Sequence, residues 1–150
     1  MEAAGEEVNA DGGPVYAVEP GLGAGEFIDV LRRSGLDARR PVEDPARIAR
    51  MLAGASLIVT ARTGALLVGV ARSVTDFSYC CYLSDLAVDR ALQGRGIGRR
   101  LIEETRRAAG PECACLLLSA PGAVGFYRAI GMPVAENAFL YGRGPVPPGN

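Results

Sequence analysis

The residues best suited to chemistry are a glutamine and three glycines that follow an apolar run, Leu83 to Val88. They form the segment Gln93-Gly94-Arg95-Gly96-Ile97-Gly98, which opens directly into a helix-like sequence. The first N–H groups of a helix have no partner inside it, and the helix dipole favours negative charge there. Glycines also let the backbone approach an anion closely. The segment therefore predicts a phosphate or pyrophosphate site at a strand-to-helix turn.

Two familiar phosphate motifs do not fit this turn. A P-loop needs Gly-Lys-Ser/Thr, and the chain has no Lys, so all 16 of its basic residues are Arg. A dinucleotide-binding turn needs a third glycine where Arg99 stands, and an acidic residue after a second strand about 20 residues further on, which is absent. The turn therefore predicts a phosphate ligand of another kind.

Two motifs together resemble the GNAT N-acetyltransferase superfamily. The pattern Q-x-x-G-x-G, at Gln93, Gly96 and Gly98, resembles the acetyl-CoA-binding signature of that family. A later segment, Ala123-x-x-Phe126-Tyr127-x-x-x-Gly131-Met132, is similar to the family's A-x-x-F-Y-x-x-x-G-F helix. The motifs occur in the family's order, separated by one helix and one strand.

The resemblance implies acetyl-CoA as the cosubstrate, with no metal. It implies that the turn amides hold the pyrophosphate, that nearby arginines assist, and that the preceding strand backbone pairs with the pantetheine arm. From the residues alone, a glycine turn needed only for tight packing is the alternative. The predicted cofactor-binding residues are Leu86, Ala87, Val88, Gln93, Gly94, Arg95, Gly96, Ile97, Gly98, Arg99 and Arg100.

Tyr127 is the general acid that the resemblance implies. Transfer of an acetyl group from a thioester to an amine leaves a thiolate, and a phenol with a usual pKa of about 10 can donate a proton to it at neutral pH. The family places a Tyr at this position, near the sulfur of CoA. A core aromatic that packs against Phe126 is the alternative.

Three carboxylates are candidates for the group that accepts the proton of the amine. Asp85 lies inside an apolar strand, where a carboxylate is costly unless it is paired or functional. It could bind the amine, relay its proton through water or cap a backbone bulge. Tyr82 stands at the strand position that holds a catalytic Glu in some relatives. We predict Asp85 as catalytic, and Glu26, Asp76 and Tyr82 as substrate-binding.

The composition excludes several other mechanisms. The chain has no His, which removes His-based triads, and no Lys, which removes Schiff-base chemistry. Because no His can activate a thiol, we expect direct attack by the amine in a ternary complex, without a covalent intermediate. The cysteines, Cys80-Cys81 and Cys113-x-Cys115, lack C-x-x-C metal spacing and are predicted to be reduced residues of the core. A net charge of −1 gives no indication of nucleic-acid binding.

The elements that must position these residues alternate between strands and helices. The order β-αα-ββ-β-α-β-α-β predicts an α/β (α+β) fold, and the resemblance implies a mixed, mostly antiparallel central sheet flanked by helices. The strand at 79–88 is apolar at nearly every position, as in a strand covered on both faces. Strands are expected at residues 15–18, 56–62, 66–74, 79–88, 113–119 and 134–141, and helices at 25–33, 45–53, 98–109 and 121–130.

A chain of 150 residues is expected to form one domain, residues 14–142, between an acidic disordered tail (1–13) and a Pro/Gly tail (143–150). It shows neither an apolar run of about 18 residues nor a signal-peptide pattern, so a cytoplasmic location is expected. The prediction is an acetyl-CoA-dependent N-acetyltransferase acting on a primary amine of a small molecule or peptide. The alternative is a non-catalytic, GNAT-like module that binds CoA as a sensor. The resemblance also suggests a homodimer that pairs through the strand at 134–141.

Overall fold

The computed structural model describes residues 9–149. The first eight residues of the predicted disordered tail lie outside this range. Residues 9–13 form a turn in which the N–H of Gly12 donates to the carbonyl of Asn9 (2.8 Å). The chain divides into two compact units, with the boundary between Leu118 and Ser119.

A five-stranded sheet organises the first unit. Its strands are β1 (Val15–Val18), β2 (Leu57–Thr63), β3 (Leu66–Thr75), β4 (Cys80–Val88) and β5 (Ala114–Leu116). They lie in chain order; the first three pairings are antiparallel and the β4–β5 pairing is parallel. The helices α1 (Ala24–Ser34), α2 (Pro45–Ala53) and α3 (Ile97–Ala109) flank the sheet. The predicted mixed, mostly antiparallel fold is confirmed.

Local sequence explains the ends of α1 and α2. The helix α1 stops at Gly35, whose φ of 86° is a left-handed conformation that glycine adopts readily. The carboxylate of Asp44 caps α2 by accepting a hydrogen bond from the N–H of Arg47, and Pro45 occupies the first turn. Both helices bury an apolar face against the sheet. The core cluster contains Leu22, Phe27, Ile28, Val30, Leu31, Val42, Ile48, Leu52, Ile58, Leu67, Val70 and Ala87.

The burial of β4 differs from the prediction. Instead of being covered along its whole length, the strand is buried only at alternate residues, Cys81, Leu83, Asp85 and Ala87. The aromatic ring of Tyr82 remains 38% exposed. The residues between the buried ones are exposed or only partly covered, so apolar content overstated the burial of this strand.

The strand β5 is shorter and more exposed than the buried strand predicted at 113–119. It pairs with β4 through three residues only, and it has no second neighbour among the described residues. All four cysteines are free, as predicted, but only Cys81 is buried. Cys80 is exposed, and Cys113 and Cys115 are half-buried, because they belong to this outer part of the sheet.

The second unit contains a short 3₁₀ turn (Pro121–Ala123) followed by the helix α4 (Val124–Ala129). Gly131, with a φ of 77°, comes directly after the end of this helix. The strand predicted at 134–141 is wrong: within the described range this segment pairs with no other strand, and Phe139 is 97% exposed. A strand depends on a neighbour for its backbone hydrogen bonds, which strand-forming residue types alone do not supply.

Candidate active site

The predicted phosphate turn begins where β4 ends. The carboxylate of Asp89 accepts a hydrogen bond from the N–H of Ala91 (2.9 Å) and starts a 3₁₀ turn, Arg90–Leu92. The amide group of Gln93 then donates to the carbonyl of Val88 (3.1 Å), which ties the turn to the strand. The side chain of Gln93 thus holds the turn from within.

Two glycines in the turn have left-handed backbone conformations. The φ angles are 79° at Gly94 and 83° at Gly96, and Gly96 is the N-cap of α3. A Cβ atom added at either residue would meet no other atom within 4 Å. Tight packing therefore does not explain these glycines. Their left-handed backbone angles explain why glycine is used here, and their open surroundings leave room for an anion to approach the backbone.

The amides of this turn are available for a ligand. The first helical hydrogen bond of α3 runs from the N–H of Arg100 to the carbonyl of Gly96 (3.0 Å). Within residues 9–149, the N–H groups from Gly94 to Arg99 donate to no protein acceptor. A row of unpaired amides at a helix N-terminus fits a phosphate or pyrophosphate group.

Three arginines surround the turn in different ways. Arg99 pairs with Glu103 (3.2 Å), and Arg100 pairs with Glu104 (2.8 Å). The guanidinium of Arg100 also lies 5.1 Å from the centre of the Tyr16 ring. Arg95 forms no ion pair within the described part of the chain, so it is the arginine with its charge most available to a phosphate.

A cavity of about 600 Å³ adjoins the turn. Its lining includes Gly96, the three arginines and the Tyr16 ring, together with the N-terminal turn at residues 9–14. Burial raises the pKa of Tyr16, although the positive charge of Arg100 acts in the opposite direction. The phenol therefore stays neutral at physiological pH, and the positive charge beside the turn comes from the arginines.

The backbone edge of β4 is open just before the turn. The parallel pairing with β5 covers only Cys80, Cys81 and Tyr82. From Leu83 to Val88 the strand has β3 as its sole neighbour in the described part of the chain. Leu86, Ala87 and Val88, which were predicted to pair with the pantetheine arm, belong to this open edge. An extended ligand could add to it in the manner of a further strand.

A one-residue bulge interrupts β4 within the open edge. On β3, Arg72 pairs with Asp85 and the next residue, Ser73, pairs with Leu83. Ser84 is therefore left without a partner. Such a bulge bends the strand and increases its twist locally.

The bulge also changes which face each side chain takes. Arg72 and Val74 lie two residues apart on β3 and share a face. Their partners on β4, Asp85 and Tyr82, therefore share that face as well, although they are three residues apart. Leu83, which is also buried, faces the opposite side of the sheet.

Asp85 is the centre of a buried ionic cluster. Its side chain is fully buried, and its two carboxylate oxygens accept hydrogen bonds from the Nε–H groups of Arg40 and Arg72. Arg40 also donates to the carbonyl of Ser84 (2.9 Å), and Arg72 donates to the Ser84 hydroxyl (3.1 Å) and to the carbonyl of Met51 (3.3 Å). The two arginines therefore bind two polar groups of the bulge residue Ser84, its carbonyl and its hydroxyl.

These contacts change the interpretation of Asp85. A fully buried carboxylate held by two guanidinium groups cannot touch an amine in this conformation, so the structure does not support direct catalysis by Asp85. Of the uses considered from the sequence, support of a backbone bulge agrees with the contacts. Arg40 and Arg72 were not identified from the sequence. Arg72 carried a detectable signal, because a lone charge inside an apolar strand requires a partner of opposite sign.

The predicted substrate-binding acids are occupied elsewhere. Asp76 accepts hydrogen bonds from the N–H groups of Ser78, Tyr79 and Cys80, which lower its pKa to about 2. Glu26 pairs with Arg62 (2.7 Å), whose hydrogen bonds lower the pKa of that carboxyl.

The structure does not bring Asp76 and Glu26 together. Arg62, the partner of Glu26, also donates to Ala65, just before β3 begins, whereas Asp76 follows its last residue. The strand has 10 residues, so the two acids lie about 30 Å apart along it. Tyr82 alone of the three shares the sheet face of Asp85.

Two of the four thiols are poor nucleophiles in this environment. Burial raises the pKa of Cys115 to about 11. The nearby negative charge of Asp76 raises the pKa of Cys80. Both thiols therefore stay protonated at neutral pH, which gives no support to a covalent thiol mechanism.

Tyr127 lies on α4 in the second unit. Its ring contacts Phe126 edge-on, with the ring centres 5.0 Å apart and the planes inclined by 70°. The residue is half-buried. The N–H of Met132 donates to its carbonyl (3.0 Å), which fixes the end of the helix. The aromatic pair predicted as the alternative role of Tyr127 is thus present, and it leaves the phenol group on a defined helix.

Residues 34–140 of the chain match a protein-family model described as an acetyltransferase (GNAT) domain. The chain therefore belongs to the GNAT acetyltransferase family. The enzyme class expected from the two motifs, a GNAT-type acetyltransferase, is confirmed. None of the curated proteins matches the chain.

Three solved structures illustrate the similarity of the fold. A GNAT-family acetyltransferase from Streptococcus pneumoniae is 21% identical, with a TM-score of 0.68, and the match covers 87% of this chain and 98% of that one. The aminoglycoside acetyltransferase meta-AAC0020, from an uncultured soil metagenomic sample, in complex with sisomicin, is 21% identical with a TM-score of 0.64, covering 91% and 99%. AAC(6')-Iy in complex with the bisubstrate analog CoA-S-monomethyl-acetylneamine is 14% identical with a TM-score of 0.64, covering 87% and 97%.

Two further findings concern metals and membranes. In the described part of the chain, no group of three or more Cys, Asp or Glu side chains could hold a metal ion. The same residues include no helix that is long and apolar enough to cross a membrane.

Proposed function

We propose that the protein transfers the acetyl group of acetyl-CoA to a primary amine by direct attack in a ternary complex. The observation that carries this proposal is the row of unpaired amides from Gly94 to Arg99, which begins a few residues beyond the open backbone edge of β4. The amides suit the pyrophosphate and the strand edge suits an extended arm. Family membership supports the same cosubstrate.

The chemistry that acetyl-CoA supplies is an activated acetyl group on a thioester. The amine nitrogen attacks the carbonyl carbon, the C–N bond forms, the C–S bond breaks, and CoA leaves as a thiolate. The thiolate needs a proton and the amine must lose one. Because Asp85 is buried and paired twice, we assign the proton of the amine to water.

Tyr127 is the proposed donor of the proton to the thiolate. Changing Tyr127 to Phe keeps the ring and its contact with Phe126 and removes only the hydroxyl. The expected loss is in kcat, about 10²- to 10⁴-fold for a full general acid, with little change in the KM for acetyl-CoA. Steady-state kinetics of thiol release measure both parameters. Wild-type kcat at every pH tested would reduce Tyr127 to a packing role.

An assay of CoA thiol release over a panel of amines tests the whole proposal. The panel should contain small primary amines, amino acids, peptide N-termini and an aminoglycoside, since two proteins of similar fold are named for that substrate class. We expect turnover with at least one amine and saturation by acetyl-CoA. Calorimetric binding of CoA without turnover of any amine would favour the non-catalytic, CoA-binding module instead.

A further inference from the structure

The cluster of Arg40, Asp85 and Arg72 has features that stability does not explain. Burying three charged side chains removes their hydration, and a buried ion pair often stabilises no more than an apolar replacement. Here Asp85 is fully buried, and the side chains of Arg40 and Arg72 are 21% and 9% exposed. The residues therefore have a use other than simple packing.

The cluster converges on one backbone unit, the bulge at Ser84. Arg40 donates to the Ser84 carbonyl and Arg72 to the Ser84 hydroxyl, while both bind Asp85, the next residue. A bulge residue lacks the ladder hydrogen bonds that orient its neighbours. The two guanidinium groups replace them, so the direction of the chain at Ser84 depends on side chains.

The bulge lies at the start of the open edge of β4. The last residue paired with β5 is Tyr82, two residues before Ser84. Any change in the backbone direction at Ser84 would therefore move the unpaired edge that follows, including Leu86. In an acyl transferase, a shift of about 1 Å in the reacting atoms can cost 10²-fold in rate.

Arg40 connects this edge to a distant part of the chain. It follows the 3₁₀ turn Leu36–Arg39, between α1 and α2, and lies 45 residues before Asp85. Its guanidinium is the polar link from that loop to β4. Removing it leaves Asp85 paired with Arg72, so the ionic core of the cluster would survive while the Ser84 carbonyl would lose its donor.

We propose that Arg40, together with Arg72 and Asp85, is a positioning residue that sets the backbone direction of β4 at Ser84 for the acetyl-transfer step. This inference rests on the proposed function. It gives the cluster no contact with the acetyl group or the amine. The effect acts through the backbone of residues 84–86.

The decisive variant is Arg40→Met, which keeps an unbranched apolar chain and removes every donor. We expect kcat to fall about 10- to 100-fold, because the edge is misdirected. The affinity for CoA, measured by calorimetry, should fall by a smaller factor than kcat, because the turn from Gly94 to Arg99 is untouched and only the contacts of the strand edge are displaced. Amide hydrogen exchange at residues 84–86 should become faster. A merely structural role for Arg40 would not separate kcat from CoA affinity in this way.

Arg62→Met is the matched control. Arg62 is equally shielded, with a 20% exposed side chain, and it also binds two carboxylates and a backbone carbonyl. It lies near the end of β2, at a separate irregularity of the β2–β3 pairing and away from the bulge at Ser84. We expect this variant to retain kcat and the exchange rates at 84–86.

The conservative variant Arg40→Lys keeps a positive charge for Asp85 but lacks the planar fork that serves Asp85 and Ser84 together. It should show a smaller loss of kcat, again larger than its loss of CoA affinity, and it carries the test if Arg40→Met does not fold. Unchanged kcat in a folded Arg40→Met protein would overturn the proposal, as would an equal loss of CoA affinity.

If the wild-type protein turns over no amine, the proposed function fails. In that case the exchange rates alone decide: faster exchange at 84–86 supports the role of the cluster, and unchanged exchange overturns it.

Discussion

The glycine turn begins nine residues after Asp85, the centre of the arginine cluster, and the two regions are constructed in opposite ways. The turn offers backbone amides that find no acceptor within the described residues, from Gly94 to Arg99. The cluster around Asp85 consists of side chains that satisfy one another within the fold. The turn thus has hydrogen-bond donors left for an external acceptor, whereas the cluster already contains its own carboxylate.

The two regions should therefore control different properties: the turn should control ligand affinity, and the cluster should control the geometry of the protein backbone. Unpaired amides form their hydrogen bonds only when a ligand binds, so changes in the turn should alter the free energy of binding. A cluster that is already complete contributes to the shape and stability of the protein, so changes there should alter folding and rate.

Asp85→Ala should cause the largest loss of stability. It leaves two guanidinium groups without their carboxylate, and Arg72 is nearly buried. Breaking a buried pair in this way costs about 3–5 kcal/mol of unfolding free energy. Urea denaturation measures it. The matched control is Glu26→Ala, which removes a half-exposed partner of Arg62 and should cost about 0–1 kcal/mol. Equal losses in the two variants would contradict the distinction between these networks.

Gly96→Val should weaken CoA binding more than about tenfold, or about 1.4 kcal/mol, because a branched side chain would block the approach of the phosphates. Gly110→Val is the control. Gly110 also has a positive φ, 97°, and open surroundings, but it lies at the other end of α3. Both variants strain the backbone, and the strain is greater at Gly110, whose φ of 97° and ψ of 163° suit glycine almost alone. A loss of affinity in Gly96→Val only, measured by calorimetry, would therefore not be due to strain. Equal affinity in the two folded proteins would exclude the turn as the phosphate site.

Asp76 offers an intermediate case, in which a carboxylate is held by backbone amides of the protein itself. Its pKa in the folded protein, about 2, lies below the usual value of 3.8. The carboxylate therefore stabilises the fold above pH 3.8, and this contribution is lost as the pH falls from 3.8 towards 2. Asp76→Asn should flatten the fall of the urea midpoint over that interval. An unchanged pH profile would show that the turn gains nothing from the charge.

The glycine turn and the arginine cluster also differ in how well they could be predicted from the sequence. The glycine turn was identified from the sequence because its chemistry is local: the glycines, the strand end and the helix start are consecutive. The contact between Arg40 and Asp85 spans 45 residues, and it depends on a bulge that the residue types do not predict. From the sequence, Asp85 could be recognised as a charge that needed an explanation, but its partners could not be named.

The strands show why the rest of the fold was only partly predictable. The antiparallel strands β2, β3 and β4 follow one another closely and were located to within one or two residues. The segment 134–141 has the residue types of a strand and forms none, because pairing depends on a neighbouring edge and not on composition. The apolar character of β4 likewise gave no information about which of its faces the helices cover.

The short parallel pairing of β5 has a consequence for the order in which the sheet assembles. Residues 57–88 form an antiparallel meander through contacts that are close in sequence, which folding chains make quickly. The strand β5 joins only after the crossover through α3, and three residue pairs hold it. It is therefore expected to join the sheet after the meander has formed and to leave it before the meander opens. Native-state hydrogen exchange should give residues 114–116 a lower opening free energy than residues 66–75. Because β5 can detach while the meander stays closed, a further length of the edge of β4 can become accessible at little cost to the rest of the sheet.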